Sequence, residues 1–215
     1  MREHRWNSYS QEHFKVGGTT PVLCDVPLKR QHGATVANEL MVGEKIAAGT
    51  PLEFNLATRT AKFLKAWQIK AVEVSGSNTI VTLYKTVATP KLYLNTVVMV
   101  MPSTLKGTGK AALVSAIEET DTTYVVTMVT ASFDTLAVGG FLVEAKEAGS
   151  GKAVYCQPNL ISVEDTVKGT EVTLVDLPRG HVYMYQNTIP AMPEVVKAAL
   201  NNNDIQISWE MYNED

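Results

Sequence analysis

Apolar and polar residues alternate with a period of two in the middle of this chain, and the alternating runs come in related pairs. Ile80-Val81-Thr82-Leu83 matches Val125-Val126-Thr127-Met128, and Ala71-Val72-Glu73 matches Ala116-Ile117-Glu118, both at an offset of 45 residues. With one residue deleted, Val97-Val98 then aligns with Phe141-Leu142. A period of two sends successive side chains to opposite faces, so these runs predict strands, and a fixed offset marks an internal repeat. Ser75-Gly76-Ser77-Asn78 and Glu119-Thr120-Asp121-Thr122 separate the first two runs of each copy. Such residues bond their own backbone and favour turns, which makes each pair of runs a hairpin. Each copy therefore reads strand, turn, strand, loop, strand. A three-stranded unit cannot bury its apolar face alone, so two copies are expected to pack face to face or close into a small barrel that hides the strand edges. The module is drawn from residue 66 to residue 149.

The flanks carry a second pattern. Gly49-Thr50-Pro51-Leu52 places a turn before a short apolar run, with Pro51 fixing φ and removing one donor at a strand start. Arg59 to Lys65 alternates like a strand. Farther on, Arg179-Gly180-His181-Val182 opens another strand, in which Val182, Met184 and Gln186 share one face and Tyr183 and Tyr185 the other. A proline-opened helix is predicted from about Pro193 to Leu200, then a last strand from Ile205 to Trp209. Removing the module joins 36–65 to 150–215 as a β-rich scaffold with one short C-terminal helix. Insertions are tolerated where the chain leaves and returns side by side, and Ala145 to Lys152 reads as a flexible return. Residues 1–35 mix charge, aromatics, glycine and proline without periodicity and read as an extended arm. The expected fold is mainly β: a scaffold interrupted by an inserted repeat-like barrel or sandwich.

Composition narrows the function classes. Of 215 residues 45% are hydrophobic and 19% charged, enough to build a core and unlike the composition of disordered chains. A net charge of -3 provides no overall basic field, so nucleic acid is not an expected partner. The first residues lack an apolar run, so neither a signal peptide nor a membrane span is expected, and synthesis is placed in a cytosol. Cys24 and Cys156 are far apart without Cys-x-x-Cys spacing and are expected to be reduced.

Candidate chemistry is sparse. Gly107-Thr108-Gly109-Lys110 looks like a phosphate loop, but Thr104 stands where the Walker spacing needs glycine and Ala111 where it needs a hydroxyl. It reads as a loop joining the two repeats. Gly149-Ser150-Gly151-Lys152 fails in the same way. The four histidines lack metal-ligand spacing, no Gly-x-Ser-x-Gly elbow is present, and Glu118, Glu119 and Asp121 suit a turn better than acid catalysis. No enzyme activity, cofactor or metal is expected. Trp6, Trp67, Trp209 and the tyrosines are assigned mainly to packing, with one of the two faces of the strand from Val182 to Gln186 a candidate interface.

In order and type, these signals resemble the capsid decoration or head fiber proteins of tailed bacteriophages, of the gut crAss-like type. The resemblance runs from Gly49-Thr50-Pro51-Leu52 through the inserted module, Pro158-Asn159-Leu160-Ile161, Arg179-Gly180-His181-Val182 and Ile189-Pro190 to Lys197-Ala198-Ala199-Leu200. It covers about 36–215. Tyr183, Tyr185 and Gln186 depart from it, standing where alanines are expected, and so does Asn201-Asn202-Asn203-Asp204 after the helix. In the arm, Val26-Pro27-Leu28-Lys29-Arg30-Gln31 is similar to a segment of gut-phage virion proteins. The resemblance implies a non-enzymatic structural protein on the outer capsid surface, made in the bacterial host cytoplasm. It would bind the major capsid protein and itself, as a homotrimer. Lys29, Arg30 and Gln31 are then the expected capsid-docking residues, and Tyr183, Tyr185 and Leu200 the expected oligomer-interface residues. Three alternatives stand beside it: an adhesin-like module in which 66–149 holds host-surface glycans, a small-barrel nucleic-acid binder, and a small hydrolase whose site carries no local motif.

Overall fold

A computed structural model describes residues 33–129, 136–201 and 205–210, with the backbone of three short strands before them. The protein is mainly β. Along the chain, β1 (Lys15–Val16) and β2 (Thr20–Pro21) form a small antiparallel pair, followed by β3 (Leu28–Lys29) and β4 (Ala34–Val36). Next come β5 (Lys45–Ile46), β6 (Pro51–Asn55) and β7 (Thr60–Phe63). The repeat region supplies β8 (Ala66–Ser75), β9 (Asn78–Tyr84), β10 (Val97–Val100), β11 (Thr108–Leu113), β12 (Ala116–Glu119), β13 (Thr123–Val129) and β14 (Phe141–Glu144). Then follow β15 (Gly149–Ala153), β16 (Leu160–Ile161), β17 (Thr166–Val167), β18 (Leu174–Val175), β19 (Pro178–Tyr185), helix α1 (Glu194–Leu200) and β20 (Ile205–Glu210).

From Ala66 to Glu144 the ladder returns on itself. β8 pairs with β9, β9 with β13 and β13 with β12. Only Val114 and Ser115 separate β12 from β11, which pairs with β10; β10 pairs with β14, and β14 pairs back with β8. β8 changes partner at a bulge between Ile69 and Ala71, and β11–β12 changes partner at the equivalent place. A bulge sharpens local twist, which is what curling a sheet into a barrel needs. Val81 pairs with Val126, the residue 45 positions on that the repeat makes its own equivalent. Across the barrel Met99 pairs with Val143, again its own equivalent at the shortened offset of 44. One pseudo-two-fold axis therefore passes through both pairs.

The barrel interior obeys the same symmetry. Trp67 and Ala112, Ile69 and Val114, Leu83 and Met128, and Val98 and Leu142 are equivalent positions, and all are buried in one apolar cluster. The Trp67 indole N–H donates to the Pro90 carbonyl at 2.8 Å, so the largest core side chain leaves no polar atom unpaired. Both predicted hairpins are present, β8–β9 turning at Gly76-Ser77 and β12–β13 at residues 120–122.

The scaffold takes strands from both sides of the barrel. Its sheet runs β16-β6-β7-β4-β18, and a second, three-stranded sheet runs β20-β19-β3 with β20 parallel to β19. Residues around Gly49 and Ser162 are joined by Gly49 N–H to Ser162 O (2.9 Å) and Ser162 N–H to Thr50 O (3.0 Å). Asn159 bonds both backbone groups of Phe54, at 2.8 and 3.1 Å. The core holds Leu52, Phe63, Ile161, Met184, Val196 and Leu200, and it extends onto the outside of the barrel at Ala66, Met99, Ala111 and Val143.

Two loop expectations are corrected. Thr108, Gly109 and Lys110 begin β11, and Gly149 to Lys152 lie in β15, which pairs with β11 through an irregular register. Glycine weakens the alternation by which strands are read, while its missing side chain suits it to a bulged ladder. The arm, read as lacking strands, contributes β3, which adds to the start of β19 through Lys29 opposite Pro178 and Leu28 opposite Arg179.

Candidate functional site

Two regions combine exposed or buried polar chemistry with a fixed frame: the outward face of the C-terminal sheet and the seam between barrel and scaffold.

Parallel register places His181 beside Gln206, Tyr183 beside Ser208 and Tyr185 beside Glu210, so period-two alternation gives these six residues one face. The opposite face, with Val182, Met184, Ile205 and Ile207, is buried against α1 and the scaffold core. Tyr183 is 37% exposed and stacks on His181 with ring centroids 4.5 Å apart, while His181 Nε2 lies 2.9 Å from Ser208 Oγ. An imidazole beside a hydroxyl is half of a nucleophile–base arrangement. Here it lies exposed on a sheet face, with the imidazole stacked on Tyr183. Tyr185 is half-buried on this face. Leu200 is not on it: its side chain is fully buried in the chain's own core, beside Val196. The expectation that Leu200 meets a second subunit is corrected, because i, i+4 spacing puts it on the inward stripe of α1. The backbone of Lys29 is held at the edge of this sheet; Arg30 and Gln31 lie outside the described residues.

The seam is built on charge. Lys65 Nζ meets Glu44 Oε1 at 2.6 Å, with side chains 7% and 1% exposed. The Tyr93 ring lies 5.9 Å from the same ammonium, and its hydroxyl bonds Glu44; burial first, then that carboxylate, push the Tyr93 phenol above its ordinary value. Glu144 is largely buried near Lys65, and its Oε2 has no hydrogen-bond partner. Burial pushes its carboxyl up, a shift that Lys65 opposes and Glu44 reinforces. Farther along, Lys85 bonds Glu119 at 2.7 Å, and burial with the Glu119 charge raises the Tyr124 phenol to about 12. Cys156 is buried, donates to Lys62 O at 3.2 Å, and has its thiol pushed up by desolvation. Cys24 lies outside the described residues.

Among the described residues no group of three or more His, Cys, Asp and Glu side chains is placed to hold a metal ion, and no helix is long and apolar enough to cross a membrane. Sequence reasoning missed Glu44, Lys65 and Glu144. Charged residues at alternating positions read as solvated faces, and only the docking of two distant segments buries them. Compared with known proteins, the chain matches no family model, no curated protein and no solved structure.

Proposed function

We propose that this chain is a structural, non-enzymatic protein of a tailed-bacteriophage virion that binds the outer surface of the head as a homotrimer. The specific assignment comes from the ordered motifs of the sequence. The observation that carries it in the fold is the three-stranded C-terminal sheet: the arm is added to its edge as β3, beside a face bearing exposed His181 and Tyr183 and half-buried Tyr185. Pairing of Leu28 and Lys29 with β19 lowers the ordering cost of docking at that point, and an exposed aromatic face suits self-association. Lys29, Arg30 and Gln31 would meet the major capsid protein, with Tyr183 and Tyr185 between subunits. Many copies on a lattice turn a modest contact into firm occupancy.

The test is a light-scattering mass followed by sedimentation with and without emptied heads of the phage whose genome encodes the chain. A trimer that pellets only with heads is expected, and Lys29→Glu with Arg30→Glu should lower its occupancy. A monomer that stays in the supernatant would overturn the reading.

A further inference from the structure

We propose that the cleft between the barrel and the scaffold is a binding site for a neutral saccharide. The cleft has a volume of about 380 Å³, within the range of about 300–1,000 Å³ typical of small-molecule sites. One wall is the end of β9 and the loop after it; the other is the turn from Gln186 to Ala191. A second cavity of about 340 Å³ adjoins it, sharing Gln68, Gln186, Ile189 and Ala191.

The lining selects the ligand class. No charged side chain lines the first cavity, so it offers nothing to a phosphate, carboxylate or ammonium group. In the second, Glu194 and Lys197 pair with each other at 2.7 Å. The polar groups include the carboxamides of Gln68, Asn187 and Gln186, whose Oε1 accepts from Lys197 at 3.4 Å, and the hydroxyls of Tyr84, Thr86, Thr89 and Thr188. Carboxamides donate and accept at once, which matches vicinal hydroxyls that do the same. Tyr84 adds a half-exposed ring, and Ile189 and Ala191 add apolar surface, as the two-sided character of a sugar ring requires. The Gln68 carboxamide, where the two cavities meet, has no protein partner among the described residues.

The walls are pre-formed. Thr86 N–H bonds Thr89 Oγ1 at 2.9 Å, the two hydroxyls lie 3.1 Å apart, and Ala88 N–H bonds Thr86 Oγ1 at 3.3 Å. Opposite, both the amide and the hydroxyl of Thr188 bond Tyr185 O, at 3.1 and 3.0 Å. Rigid walls lower the ordering cost of binding. The repeat adds an independent observation. The barrel core keeps apolar residues at equivalent positions, yet the counterparts of Gln68 and Tyr84 are Leu113 and Val129, 47% and 48% exposed. The two copies therefore differ in chemistry where one of them lines the cleft.

The test is a titration of the ¹⁵N-labelled full chain with the methyl glycosides of glucose, galactose, mannose and N-acetylglucosamine, beside glucose 6-phosphate and N-acetylneuraminic acid. At least one neutral glycoside is expected to give saturable shifts confined to Gln68, the 86–89 loop and 186–189. Gln68→Ala should weaken that binding about two- to tenfold, the loss of one hydrogen bond, with the remaining spectrum unchanged. Tyr84→Leu, at a half-exposed position, provides a second variant with the same expected direction. No shift with any neutral glycoside, shifts with the charged sugars alone, or wild-type affinity in both variants would overturn the proposal. Head sedimentation of Gln68→Ala should equal that of the wild type, so failure of either reading is told apart from failure of the other.

Discussion

Gly49 and Ile189 lie so close that a methyl group on Gly49 would meet Ile189 Cγ2 at 2.5 Å and Met184 Cε at 3.0 Å. The two residues are 140 positions apart, one before the barrel and one after it, so their contact is where the two parts of the scaffold interlock. Gly49 also holds φ +80, which a residue with a Cβ adopts only under strain. Gly49→Ala is expected to cost about 1–3 kcal/mol through overpacking, with the φ penalty in addition. Urea denaturation should show a lower midpoint with an unchanged slope.

The buried pair Lys65–Glu44 predicts an asymmetric mutant series. Lys65→Met leaves the Glu44 carboxylate buried with hydrogen bonds from Tyr93 and the Met41 N–H but no opposite charge, and should destabilise the protein by about 3–5 kcal/mol. Replacing both partners, Lys65→Met with Glu44→Leu, should recover most of that loss, since neither charge of the pair is left without the other. Chemical denaturation of the two single variants and the double variant checks the cycle.

Glu144 sets a pH dependence whose sign follows from its burial. Its folded-state pKa lies above the unfolded value, so the folded state binds more protons between the two. The stability it contributes is fully present below the unfolded value and is lost as pH rises through the raised one. The groups acting on it are Lys65, which opposes the shift, and Glu44, which adds to it. Melting temperatures across the acidic range should fall less steeply with rising pH in Glu144→Gln than in the wild type.

Cys156 should resist alkylation in the native state, because the thiolate is the reactive form and burial holds the thiol protonated. Peptide-resolved iodoacetamide labelling at mildly alkaline pH is expected to leave Cys156 unmodified until denaturant is added. Rapid native labelling would mean that this part of the scaffold opens.

The two hairpins of the module were legible because β9 and β13 follow the period of two and each hairpin turn carries residues that bond their own backbone. The scaffold was legible at Pro51, at the alternation from Val182 to Tyr185 and at α1. β11 and β15 were not, since their glycines interrupt the pattern while the backbone pairs regardless. The seam could not be read locally. Lys65 ends an alternating run and looks like a solvent-facing charge until Glu44, 21 residues earlier, is folded against it. The neutral cleft was hidden for the same reason, with Gln68 and Gln186 on segments far apart in the chain.

The patch through which the barrel meets the scaffold includes Ala66 with its counterpart Ala111 and Met99 with its counterpart Val143. Half a turn about the pseudo-two-fold axis would exchange each of these residues for an apolar counterpart. Lys65 tells the two orientations apart: its counterpart, Lys110, is exposed, while Lys65 is sunk against Glu44. The charge at the seam thus acts as an orientation key, and the barrel is a fused pair of related halves of which only one is fitted to the lock.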